Sequence, residues 1–531
     1  LPSAALKQLR LVNKQWSDSA ATVLWETFVT DFDETDGREL DTILTSPSSA
    51  LMKNIRHLHI HRPRGKRDIQ TKTQLTQLLC ALTRNQLRSC TLEVALDGRT
   101  LGLLISCQKQ LEVLNILSIT EPPSSDYLAN NMQKLIELTI RLGSDDRSTY
   151  GQWLIHTPNL TTLKLMARQG LSPFKIWRAS HDDALLKLQT LVLDGLRVPG
   201  VSDHIGGFTH LPSLRDLRIN NCENLAFLRN IAEELASCQE QSLKWLEIVQ
   251  LWGYKDWCQH FDQFLNSFLG LEAIFITVSD GELPPIQSIC RHGQTLSCLN
   301  VDPLNPTNNR RGPSDAWSYD ASDLNKLVEN CQNIEELGID LGSMTSRRGM
   351  DMFLVSILSS GTRTQHGTSL AERLVRIAPL SQISLYSPLT DVQAALARLP
   401  KLQILCLTRV SAEHSNLGPA TRHEQQHYAW CHQQIANEIM QFLAERGSPI
   451  QALVFSPWFS LYYNEQCNLK DMPDLNGHIW PEYAYVRGTT SFCRPRSHNV
   501  TRNTAVPVLR SDVSEYVENY RGILERPAPP E

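Results

Sequence analysis

The chain has 531 residues, 41% of them apolar and 20% charged, with a net charge of −5. That length exceeds what one compact core usually organises, so several domains or a repeat array are expected. The mild charge gives no argument for nucleic-acid binding through bulk electrostatics. Thirteen cysteines, scattered without a C-x-x-C pair, fit reduced thiols better than a secreted disulfide framework.

The first elements are helical. Leu6, Leu9, Val12 and Trp16 recur at helical spacing behind Ser3, a residue able to cap the helix. One such amphipathic helix needs a cover for its apolar stripe. Residues 31–50 are polar and read as a linker. Ile55–His61 alternates as a strand with Leu58 and Ile60 inward and His57, His59 and His61 sharing the other face. Three histidines on one face are able to bind zinc. No carboxylate or Cys stands beside them in sequence, so an ordinary repeat strand is expected and no metal is assigned. The basic stretch Arg62–Arg67 reads as a solvated loop; it lacks the upstream Gly and following Ser/Thr of a phosphate loop.

From there one pattern governs the chain. The window L-x-x-L-x-L, with conservative replacements, begins at Ile55, Leu87, Leu111, Leu135, Leu160, Leu188, Leu214, Leu243, Leu271, Leu296, Ile334, Leu380, Leu402 and Ile450. From Leu111 to Leu296 the steps are 24, 25, 28, 26, 29, 28 and 25 residues. The fullest copy, Leu214–Cys222, ends in the Cys of the longer pattern L-x-x-L-x-L-x-x-N/C. Helical segments alternate with these strands, at Gln74–Leu82, Leu228–Cys238, Trp257–Leu269, Leu324–Cys331 and Val392–Leu399. Three stretches interrupt the array, at 303–322, 342–370 and 410–428; the last precedes a helix over Tyr428–Arg446. His423-Glu-Gln-Gln-His427 satisfies H-E-x-x-H, the zinc-peptidase spacing in which Glu424 would be the general base. It stands at the end of a polar loop with glutamines between its ligands, and the third ligand is a guess between Glu438 and His432, so peptidase activity is not expected. No other catalytic signature occurs and no cofactor is implied. The last seventy residues leave the pattern, with a helix expected over Asp512–Leu524, and read as a terminal cap.

The windows resemble leucine-rich repeats, whose strands stack in parallel on a concave face with helices on the convex face. The opening residues Leu1, Pro2, Leu6, Leu9, Arg10, Val12, Lys14 and Trp16 resemble the second half of an F-box, and Trp25 and Phe28 follow as aromatics after the box. Together the chain is similar to divergent, fungal-type members of the F-box/leucine-rich-repeat family. The first F-box helix has no counterpart here, so the box is expected to be truncated. The resemblance implies an α/β leucine-rich-repeat solenoid behind a partial all-α F-box: F-box remnant at 1–30, linker at 31–50, solenoid at 51–460, cap and tail at 461–531. It implies a non-enzymatic function, substrate recognition for an SCF-type ubiquitin ligase. Leu1, Pro2, Leu6, Leu9, Val12 and Trp16 would meet the SCF adaptor and, through it, the cullin scaffold. The alternative is a repeat scaffold not attached to a ligase.

In such repeats the residues between the inward leucines face the concave side. The central row is then Asn115, Thr139, Lys164, Val192, Arg218, Glu247, Phe275, Asn300, Gly338, Ser384, Cys406 and Val454. Trp245, Val249 and Phe275 would form an apolar anchor for a protein target, ringed by Asp216, Glu247, Asp302, Glu336 and Asp340, with Arg218 nearby. The competing expectation is that the C-terminal segment covers this patch. No apolar run approaches the roughly 18–20 residues of a membrane helix. A cytoplasmic or nuclear location is expected, with Asn159 and Asn499 bare despite their glycosylation sequons, and neither nucleic acid nor membrane as a partner.

Overall fold

The computed structural model describes residues 14–30, 52–61, 68–119, 131–142, 154, 156–167, 186–196, 210–223, 225, 227–237, 242–250, 257–279, 283–304, 319–339, 387–407, 422–455, 472–479, 482–492, 500–518 and 520–524. They fall into two compact units, 1–243 and 244–531. Each is α/β and is built on an open, mostly parallel sheet whose strands follow chain order.

In the first unit the strands are β1 (Thr27–Thr30), β2 (His57–Ile60), β3 (Ser89–Leu96), β4 (Val113–Ile119), β5 (Glu137–Leu142), β6 (Thr162–Ala167), β7 (Thr190–Asp194) and β8 (Asp216–Asn220), each parallel to the next. In the second they are β9 (Trp245–Gln250), β10 (Ala273–Ser279), β11 (Cys298–Leu304), β12 (Glu336–Ile339), β13 (Ile404–Leu407) and β14 (Ala452–Phe455), again parallel. Then β15 (Tyr483–Phe492) and β16 (Val500–Val508) close the series antiparallel. Every window except that at Leu380, which lies outside the described residues, gives a strand that starts two residues after the window's first residue.

The ladder register explains why the leucines recur. In the first unit Leu58, Cys90, Leu114, Leu138, Leu163, Leu191 and Leu217 stand side by side across seven strands. In the second, Leu246, Ile274, Leu299, Leu337, Leu405 and Leu453 do the same. All are buried. A one-residue slip would turn every one of them to the opposite face, so the apolar period sets the register. Cys222, the terminal residue of the fullest copy, is buried with its thiol toward the Leu193 carbonyl at 3.6 Å, and burial pushes that thiol up to about 12.

The helices are α1 (Lys14–Leu24), α2 (Asp68–Ala81), α3 (Gly98–Cys107) and α4 (Phe227–Ser237) in the first unit. The second holds α5 (Trp257–Asn266), α6 (Ile286–Cys290), α7 (Ala321–Asn330), α8 (Ser387–Leu396) and α9 (Arg422–Glu445). Their apolar stripes are buried, as Leu75, Leu78, Leu79 and Leu82 are in and just beyond α2 and Phe261, Phe264 and Leu265 in α5. Asp97 caps α3 by accepting from the Thr100 N–H at 2.7 Å, and Asp320 caps α7 from Asp323 at 2.8 Å.

Three expectations change. The stretch 1–30, expected to be all-α, ends in a strand, β1, that holds Phe28 and pairs with β2. α9 begins at Arg422, so the H-E-x-x-H stretch lies in a helix and not at the end of a loop. The Asp512–Leu524 helix is not seen: a 3-10 helix ends at Tyr516, and the described residues beyond it, 517–518 and 520–524, are not helical, with Gly522 at φ +91°. The cap is otherwise seen as a pair of antiparallel strands clamped by α9, whose Gln433 donates to the Ala505 carbonyl at 2.7 Å and whose Asn437 accepts from the Ala505 N–H at 2.9 Å. The linker 31–50, the loop Arg62–Arg67, the insertion 342–370 and the tail from Arg526 lie outside the described residues. Among the described residues no helix is long and apolar enough to cross a membrane.

Candidate functional site

The two units differ in what lies on the sheet face opposite the leucine rows. In the first unit the strands alternate: β2, β3 and β8 show buried residues on one face and half-buried ones on the other, and β7 does so until Asp194, which is buried. Asn115, Lys164, Val192, Arg218 and Asp216 are all half-buried on this second face, while Thr139 is buried. Polar contacts run between strands there: Lys164 Nζ meets Glu137 Oε1 at 2.6 Å, and Thr190 donates to Asp216 Oδ2 at 3.1 Å.

In the second unit β12, β13 and β14 are buried on both faces. The cover is the C-terminal segment. Val513, Val517, Ile523 and Leu524 join Ala273, Phe275, Cys406, Val454, Ala484 and Val486 in one apolar cluster, with Trp245 and Tyr520 packed against it. The expected exposed anchor of Trp245, Val249 and Phe275 is therefore corrected. Phe275 is 2% exposed, Val249 is buried, and the Trp245 ring, half-buried, stacks on Phe275 at 4.5 Å between centroids. The physical reason is simple: an apolar row on a sheet face must be buried, and the segment from Val513 to Leu524 supplies the apolar side chains that cover it.

The acidic ring is corrected with it. Glu247, Asp302 and Glu336 are all buried. Glu336, fully inaccessible, accepts the backbone N–H of Arg521 on one oxygen and that of Ile523 at 3.1 Å on the other, which also receives the Cys298 thiol at 3.5 Å. Burial holds its carboxyl above the ordinary glutamate range, although both N–H donors pull it down. Beside it Arg521 reaches the half-buried Glu335 at 3.1 Å. Asp340 lies outside the described residues, as do Leu1, Pro2, Leu6, Leu9 and Val12; Trp16 lies in α1, but its side chain is not described.

Among the described residues one group brings metal-competent side chains together: His59, His61 and Glu93. The two imidazoles stand 3.4 Å from separate oxygens of the Glu93 carboxylate, with ring centroids 4.1 Å apart. His57 on the same face is held through Nδ1 by the Ser89 hydroxyl at 2.7 Å. The absence of a completing carboxylate is thus overturned: β3 supplies it. The other metal expectation fares differently. The side chains of His423, Glu424 and His427 lie outside the described residues, but His432, a guessed third ligand, is buried and stacked on Tyr483 at 4.2 Å, where its ring serves packing.

The protein-family models and the curated proteins with which the chain was compared contain no match to it.

Proposed function

We propose that this chain is a non-catalytic receptor of the leucine-rich-repeat type that recognises a protein target for an SCF-type ubiquitin ligase. The observation that carries the receptor reading is the second face of the first unit. Seven neighbouring strands there present half-buried polar and charged side chains while their leucine rows are buried on the other side. Such a regular, mixed-charge surface can steer and orient a protein partner of complementary charge. The ligase attachment rests on the resemblance of Leu1–Trp16 to the second half of an F-box and on its place just before the repeats.

The covered face of the second unit moves the proposed target contact. Lys164 and Arg218, on the open face of the first unit, replace Trp245 and Phe275 as the residues on which recognition would depend. Co-purification of the chain with the SCF adaptor tests the attachment, with Leu9→Asp as control. Binding by the parent chain and at least a tenfold loss in the control is the expected result. Equal binding by both would place the adaptor contact outside the F-box remnant, and binding by neither would leave a repeat scaffold unattached to a ligase.

A further inference from the structure

We propose that His59, His61 and Glu93 form a zinc(II) site on the open face of the first unit, independent of the receptor reading. Register builds it. β2 and β3 pair His57 with Ser89 and His59 with Thr91, so the next step along the same face sets His61 level with Glu93. Both side chains are the seventh residue of their windows, which begin at Ile55 and Leu87. Period-two alternation puts all three donors on the half-buried side, away from Leu58, Ile60, Cys90 and Leu92 in the core.

The distances suit a shared cation better than hydrogen bonds. Each imidazole nitrogen is 3.4 Å from a Glu93 oxygen, beyond the ordinary N–H···O range of about 2.7–3.2 Å. Ligands about 2.0–2.1 Å from a tetrahedral zinc lie about 3.3–3.4 Å from one another along an edge, so with the two contacts here on different Glu93 oxygens one side chain must turn to close the set. One donor atom from each residue falls within 4.8 Å of the others, a spread that rotation of partly exposed side chains can close. The two imidazole rings lie 4.1 Å apart, centroid to centroid, both beside the one carboxylate.

Ligand chemistry selects the ion. Two neutral nitrogens and one carboxylate favour zinc over calcium or magnesium, which take oxygen shells. The nearest thiol on β3, Cys90, is buried on the opposite face, and burial pushes it far up, so it does not join the set. The three side chains are 34%, 46% and 38% exposed, which leaves the fourth position open to water or to a side chain from a bound partner.

The test is metal titration of the full chain after chelation, with zinc(II) and then cobalt(II). One tight site per chain is expected. Its cobalt form should show the visible bands of tetrahedral nitrogen–oxygen ligation without thiolate charge transfer. Glu93→Gln and the double variant His59→Ala/His61→Ala should each weaken it more than about 100-fold, beyond the 10–100-fold typical of losing an outer-shell partner. His423→Ala/His427→Ala should leave it intact. X-ray absorption on the zinc-loaded parent chain should count two imidazoles, which keeps the proposal testable if a variant folds poorly. Binding unchanged by Glu93→Gln, loss of the site in the His423/His427 variant, or weak binding at several places that no variant removes would each overturn it.

Discussion

Replacing Glu336 with Ala is expected to release the C-terminal segment from the sheet of the second unit while the parallel strands stay folded. Glu336 is fully buried and takes the backbone N–H groups of both Arg521 and Ile523. Its removal leaves two amides without acceptors beneath an apolar layer, a loss of about 1–3 kcal/mol for each. Hydrogen exchange at those two amides should speed up by about 100-fold or more, since about 1.4 kcal/mol is a factor of ten. Glu335→Ala is the contrasting variant. It removes only the partly exposed pair with Arg521, worth about 0–1 kcal/mol, and should change exchange less than about fivefold. Unchanged protection in Glu336→Ala would mean that Val517, Ile523 and Leu524 hold the segment by packing alone.

The same carboxyl gives the segment a pH dependence of defined sign. Burial raises its affinity for a proton above the ordinary value of 4.5. A group whose folded value is raised stabilises fully below its unfolded value, and that contribution is lost as pH rises through the folded value. Protection at Arg521 and Ile523, corrected for intrinsic exchange, should therefore weaken as pH rises from about 4.5 through the raised value. Glu336→Gln, which cannot ionise, should flatten that response.

Much of this fold was legible because the pattern and the hydrogen-bond register are one constraint. Leu138 and Leu163 pair because each is the fourth residue of its window, and the same arithmetic runs from Leu58 to Leu217. The site was less legible for two reasons. Glu93 lies 32 residues from His61, so proximity in sequence conceals it, and only aligning the windows at Ile55 and Leu87 shows that they share a position. The shape of the covering segment is hidden because Val513, Tyr516, Val517 and Tyr520 satisfy helical spacing, while the left-handed turn at Gly522 belongs to an irregular chain. Its signal lay on the sheet instead. The central row changes from Asn115, Thr139 and Lys164 to Phe275, Cys406 and Val454, and an apolar row in an outward position needs a lid.

Acid should weaken the second unit through His292, by about 3 kcal/mol from this residue alone. Its ring is buried between α6 and β11, where Nε2 donates to the Leu265 carbonyl at 3.2 Å and Nδ1 accepts the Leu271 N–H at 3.4 Å. Both nitrogens are thus committed to the neutral tautomer, and the ring packs tilted against Phe268 with centroids 5.3 Å apart. Burial, with Arg291 acting in the same direction, lowers its pKa from 6.5 to about 4. A depressed folded value stabilises fully above the unfolded value and is lost as pH falls through the folded one, so the window runs from about 6.5 down to about 4. His292→Leu removes the titration but orphans the Leu265 carbonyl and the Leu271 N–H, at about 1–3 kcal/mol each. The variant should therefore be the weaker protein at pH 7, and its deficit should shrink toward pH 4 in urea unfolding followed by exchange in α5 and β10. Because both proteins carry the same carboxylates, including Glu336, their difference isolates the imidazole. A deficit that stays constant from pH 7 to pH 4 would show that the ring is held by packing against Phe268 and that its neutral state contributes nothing.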